Sequence, residues 1–95
     1  MKDEKIRQSI TVYGWVQGVG FRWRARQAAS ALGVTGWVRN NFDGSVSIEL
    51  QGTREQIDGV MLAVERGTYV KIENLRVKTV PVVGDETGFH VREDE

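Results

Sequence analysis

The chain has 95 residues, 40% hydrophobic and 27% charged, which suits one folded domain with one core and leaves no room for a cleft between two. Thirteen basic and thirteen acidic residues cancel, so no global field draws the chain to nucleic acid or to an anionic membrane. The absence of cysteine excludes disulfides, thiolate catalysis and zinc-thiolate sites. The N-terminus MKDEKIRQ is charged with no apolar run behind it, and no stretch approaches the roughly 20 apolar residues of a membrane span. A cytoplasmic protein is expected.

The charge is unevenly spread. Residues 1–50 hold seven basic residues (Lys2, Lys5, Arg7, Arg22, Arg24, Arg26, Arg39) against Asp3, Glu4, Asp43 and Glu49, a net of +3, and residues 51–95 carry the balancing −3. An anion site is therefore expected in the first half.

In chain order, residues 6–13 alternate Ile6, Ile10 and Val12 with Arg7, Ser9, Thr11 and Tyr13, with Gln8 on the apolar parity, and predict a half-buried strand. Gly14, Gly18 and Gly20 break the pattern. Phe21, Ala25, Ala28, Ala29 and Leu32 then draw one apolar stripe along a helix of residues 21–32, stopped by Gly33. Val34 to Asn40 reads as a second strand and Asn41-Phe42-Asp43-Gly44 as a turn. Val46, Ile48 and Leu50 alternate with polar neighbours in a third strand, and the Asp-Gly pair predicts a β-hairpin.

Thr53 and Gln56 stand in capping-box relation before Ile57, Val60, Met61 and Val64, a helical stripe that closes at Gly67. Leu75 and Val77 alternate with Arg76 and Lys78, and Val80, Val82 and Val83 shift parity around Pro81, predicting a bulged or edge strand. Phe89 and Val91 make a short final strand. The order β-α-β-β-α-β, with that extra strand, predicts an α+β ferredoxin-like sandwich over residues 1–95, an antiparallel sheet with both helices on one face. In that topology the turn after the first strand and the end of the second lie close, the crossover setting central strands side by side. Residues 14–22 are thus expected near Asn40.

Gly14-Trp15-Val16-Gln17-Gly18-Val19-Gly20-Phe21-Arg22 joins a strand to a helix, so its last amides point toward the positive end of a helix dipole. Successive N–H groups of a glycine-allowed turn form an anion nest, and an arginine on the first helical turn can add two parallel charge-assisted bonds. Glycine spacing alone fits equally a tight turn that needs positive φ. No Gly-Lys-Ser/Thr follows, so this is no Walker loop, and the sheet is not the doubly wound one of dinucleotide binders.

The complete string resembles the acylphosphatase family. That family's first signature is an aliphatic residue, any residue, Gly, any residue, Val-Gln-Gly-Val, any residue, Phe or Met, then Arg, and Val12 through Arg22 fits every constrained position. Its second is met by Gly36-Trp37-Val38-Arg39-Asn40, Gly44, Val46 and Gly52. The resemblance implies a hydrolase of the carboxyl-phosphate bond of acyl phosphates, independent of metal and cofactor. It implies that Arg22 binds phosphate, that Asn40 orients the attacking water, and that Trp15, Val16, Gln17, Gly18, Val19, Gly20 and Phe21 cradle the phosphate. Inorganic phosphate is then product and inhibitor, and a monomer without nucleic-acid or membrane partner is expected. Trp15 stands where many members have arginine, and Gly67-Thr68-Tyr69 replaces a Gly-Pro-rich turn.

Such sparse equipment is chemically sufficient. Phosphoryl transfer passes through a loose, metaphosphate-like transition state, so positioning and charge neutralisation carry most of the catalysis. An acyl phosphate expels a carboxylate, with a pKa of about 4, and needs no general acid. Asn40 cannot deprotonate water, but its amide can orient one. His90 lies far from both motifs and reads as structural.

Two alternatives compete with the hydrolase. Trp15, Trp23 and Trp37 with Arg22, Arg24, Arg26 and Arg39 could stack on single-stranded nucleic acid, although net charge is nil and no RNA-binding aromatic motif is present. An auxiliary acyl-phosphate-binding domain, like the one that begins a larger carbamoyl-transfer maturation protein, would bind without turnover. With the chain ending at Glu95 and no zinc-finger cysteines or further domain behind it, the free-standing enzyme is favoured.

Overall fold

The computed structural model describes residues 4–94. Met1, Lys2 and Asp3 of the charged N-terminal run, and Glu95, lie outside the described residues. The elements are β1 (Ile6–Trp15), α1 (Phe21–Leu32), β2 (Thr35–Asn40), β3 (Val46–Gly52), α2 (Arg54–Glu65), β4 (Lys71–Val80) and β5 (Phe89–Val91). They form one sheet in the order β4-β1-β3-β2-β5. The ferredoxin-like α+β fold is the one anticipated.

One part of that expectation needs correcting. The first four strands pair antiparallel, but β5 runs parallel to β2, with Phe89 opposite Gly36 and Val91 opposite Val38. The sheet is mixed because residues 81–88 cross from β4 at one edge to the opposite edge and so deliver β5 in the direction of β2.

Ile10, Val12, Val38, Val46, Ile48 and Leu50 turn one sheet face toward Phe21, Ala25 and Ala29 of α1 and Ile57, Val60 and Val64 of α2, and all of them are buried. Leu75 and Val77 share that parity, since they pair with Val12 and Ile10, yet they stay 43% and 53% exposed because β4 is the sheet edge. β4 ends at Val80, before Pro81. The register irregularity lies at Tyr13/Gly14 of β1 rather than near Pro81.

The opposite sheet face is polar, and residues 81–88 cross it. Gln51 donates from Nε2 to the Val83 carbonyl (2.9 Å) and accepts from the Val83 N–H at Oε1 (2.8 Å). Arg7, on the parity assigned to solvent, is only 3% exposed. It donates from Nε to Glu49 (2.7 Å), and from Nη1 (2.7 Å) and Nη2 (3.1 Å) to Glu86. The crossing segment buries this cation and supplies part of its counter-charge.

Candidate active site

β1 and β2 run in the same direction on either side of β3, so their C-terminal ends emerge at one end of the sheet. They are not adjacent, as the side-by-side reading assumed. β3 separates them, and the shared direction alone brings residues 16–22 to Asn40.

Val16 and Phe21, each 1% exposed, anchor the two ends of the connecting loop in the core. Between them Gly18 and Gly20 take φ of 71° and 82°, and a Cβ at either would meet no heavy atom within 4 Å. Glycine is needed there for its left-handed backbone and not for close packing. Gly20 is also the N-cap of α1, and no side chain caps that end. The other helix is built differently, for Thr53 and Gln56 cap α2 reciprocally, at 3.2 Å and 2.9 Å. The first-turn amides of α1 thus have no side-chain acceptor, and with the helix dipole they make a positive, donor-rich end.

Gln17 ties this loop to the β2–β3 hairpin, donating from Nε2 to the carbonyls of Asn41 (2.6 Å) and Ser45 (2.9 Å). The hairpin holds itself with Asn41, whose Nδ2 donates to the hydroxyls of Ser45 (3.0 Å) and Ser47 (2.8 Å). At its tip, hydrogen bonds from the hydroxyl and N–H of Ser45 hold the Asp43 carboxyl below the ordinary carboxylate range. Asn40 takes no such part. It is 8% exposed, and its Oδ1 is buried with no hydrogen-bond partner. A buried acceptor left unsatisfied costs about 1–3 kcal/mol, a cost proteins commonly tolerate at functional sites.

Gly18, Gly20, Arg22 and Asn40 border one open cavity of about 350 Å³, with Val16 and Phe21 beneath. Trp23, Arg26 and Val91 form the rest of its wall. Trp15, Gln17 and Val19, although in the anticipated cradle, do not line it. Arg22 donates from Nη1 to Oδ1 of Asp94 at 3.0 Å, an exposed ion pair at the cavity mouth. Of the wall residues, Arg26 could have been suggested by its i+4 spacing from Arg22, and Trp23 only by its i−3 spacing from Arg26. Asp94 and Val91 could not, being some seventy residues distant.

The tryptophans and arginines do not form one stacking surface. Trp23 lines the cavity on the helical side. Trp37 lies on the open face opposite Glu49, flanked by the guanidinium carbons of Arg39 (5.4 Å) and Arg92 (4.4 Å). His90 is exposed, its Nε2 3.0 Å from the Thr87 carbonyl. Among the described residues no group of three or more His, Cys, Asp or Glu could hold a metal ion.

Comparison with known proteins places the chain and its fold. The acylphosphatase family profile matches residues 8–91. A curated acylphosphatase from Oceanobacillus iheyensis is 40% identical over 85 residues, covering 87% of this chain and 93% of its own. The crystal structure of acylphosphatase from Bacillus subtilis superposes with a TM-score of 0.83 at 30% identity, over 92% of this chain and 98% of its own. Full-length HypF, in a phosphate- and nucleotide-bound form, gives the same TM-score of 0.83 at 24% identity over 13% of its length, a likeness of fold alone.

Proposed function

The chain belongs to the acylphosphatase family, and from that premise we propose that it hydrolyses the carboxyl-phosphate bond of acyl phosphates through Arg22, the backbone of the loop between Val16 and Phe21, and Asn40. One observation carries the assignment of roles: the uncapped N-terminus of α1, Arg22 and Asn40, whose buried Oδ1 has no hydrogen-bond partner, meet at the same cavity.

The phosphoryl group sits over the loop, accepting hydrogen bonds from its amides and a planar two-bond clamp from Arg22. These donors neutralise charge on the equatorial oxygens as the transition state loosens. Asn40 Oδ1 accepts a hydrogen bond from water and turns an oxygen lone pair toward phosphorus, opposite the leaving group. The water oxygen bonds to phosphorus while the P–O bond to the acyl group breaks, its electron pair leaving on the carboxylate. The proton of the water passes to a phosphate oxygen. No general acid is required, because a carboxylate is a stable leaving group.

Among the described residues no helix is long and apolar enough to cross a membrane. Action as a monomer in the cytoplasm on a small-molecule acyl phosphate is part of the same proposal. The test is steady-state hydrolysis of benzoyl phosphate, with and without a chelator. Turnover should be chelator-insensitive, competitively inhibited by inorganic phosphate, and lowered on the order of 10³–10⁵-fold in Arg22→Gln. Arg22→Lys should also be poor, since a point charge cannot reproduce the fork. A folded Arg22→Gln protein keeping a tenth of wild-type turnover would overturn the assignment.

A further inference from the structure

We propose that Arg26 reads the acyl end of the substrate and selects acyl phosphates that carry a second anionic group. This rests on the acylphosphatase reading of the site and adds the class of acyl group it takes.

Arg22 and Arg26 stand one helical turn apart on α1 and border the same cavity, which sets their side chains next to each other on the helix surface. A phosphoryl group over the loop amides engages Arg22 and leaves Arg26 beyond it, farther from the helix N-terminus. The remaining wall is Trp23, one turn from Arg26, and Val91 of the edge strand, which are 64% and 43% exposed. An aromatic ring and a branched aliphatic side chain flanking a guanidinium form a subsite for a short acyl chain or ring that ends in a negative charge.

The electrostatics point the same way. α1 carries Arg22, Arg24 and Arg26 in its first half and no acidic residue along its length, which sets Arg22 and Arg26 as like charges one turn apart. Arg22 has Asp94 as partner. Arg26 has no ion-pair partner among the described residues. Arg26 stands exposed one turn from a like charge and borders a cavity already suited to an anion, so it is free to meet a ligand there. The dianionic phosphoryl group satisfies Arg22 and the loop, so a second anion on the acyl side is what Arg26 can still bind.

The experiment compares kcat/KM for meta-carboxybenzoyl phosphate and meta-carbamoylbenzoyl phosphate, which share shape and differ by one charge, with benzoyl phosphate as the reference substrate. The carboxylate-to-carboxamide ratio should be about tenfold higher in the wild type than in Arg26→Gln, equivalent to about 1.4 kcal/mol. Arg26→Lys should keep most of that preference, Arg26→Glu should reverse it, and salt should erode it. A ratio equal in wild type and Arg26→Gln would overturn the proposal, as would equal loss of all three substrates, which would put Arg26 on the phosphate. Wild-type protein that hydrolyses none of them would instead overturn the acylphosphatase reading beneath it.

Discussion

Arg22, from the first turn of α1, and Asp94, next to the end of the chain, meet through Nη1 and Oδ1 at 3.0 Å. The cation assigned to phosphate is thus already paired, so substrate must displace a carboxylate to be clamped. Exposed ion pairs are worth about 0–1 kcal/mol, and a phosphoryl dianion held also by loop amides outcompetes one. Asp94→Asn should lower both the KM for benzoyl phosphate and the inhibition constant of phosphate about two- to fivefold, with kcat nearly unchanged. A higher KM with a lower kcat would show that Asp94 positions Arg22 instead of competing for it.

Asn40→Ala should lose on the order of 10²–10³ in kcat while the phosphate inhibition constant stays within about threefold. Its melting temperature should not fall, because Oδ1 of Asn40 bonds nothing in the protein and Asn41 secures the hairpin. Asn40→Asp should be worse than Asn40→Ala, since a carboxylate there repels the phosphate. Unchanged kcat in the folded Ala variant would reject the water-orienting role.

Gln17 should behave as a positioning residue. Its side chain spans from the loop to two hairpin carbonyls and is not on the cavity wall. Gln17→Ala removes two hydrogen bonds worth about 0.5–1.5 kcal/mol each, although the carbonyls of Asn41 and Ser45 keep the N–H groups of Gly44 and Asn41, and it frees the loop from the hairpin. Stability and kcat/KM should fall together, with phosphate inhibition weakened. Loss of stability without loss of activity would confine Gln17 to the fold.

Glu86 ties acid stability to the segment that covers Arg7. Burial works against its ionisation, but the hydrogen bond and charge of Arg7, with Thr35 and His90, outweigh it and hold the carboxyl below its ordinary 4.5. A folded pKa below the unfolded one contributes stability that is fully present above the ordinary value and is lost as pH falls through the folded one. Glu86→Gln should therefore cost about 2 kcal/mol at neutral pH, a Tm fall of roughly 10 °C. The gap to wild type should narrow as pH falls below 4.5 and close once the folded carboxyl is protonated as well. A gap independent of pH would show that shape and not charge accounts for the loss.

Local order along the chain was legible in the residues. The stripe from Phe21 to Leu32 gave the bounds of α1, and Thr53 with Gln56 gave the cap of α2, because a helix stripe and a capping box are interactions between residues three or four apart. Arg22 and Asn40 were legible through the two signatures that frame them. What the tertiary structure decided is everything that depends on strands meeting out of sequence. The direction of β5 follows from a connection that must cross the whole sheet, and alternation does not encode the partner of an edge strand. That crossing turned Arg7, whose parity faces away from the helices, into a buried cation between Glu49 and Glu86. The cavity wall of Val91 and the pairing of Asp94 with Arg22 arise because β5 is laid beside β2, bringing the end of the chain to the start of α1. Ion pairs and pocket walls depend on distance in space, and residues 22 and 94 acquire theirs only when the sheet closes that distance.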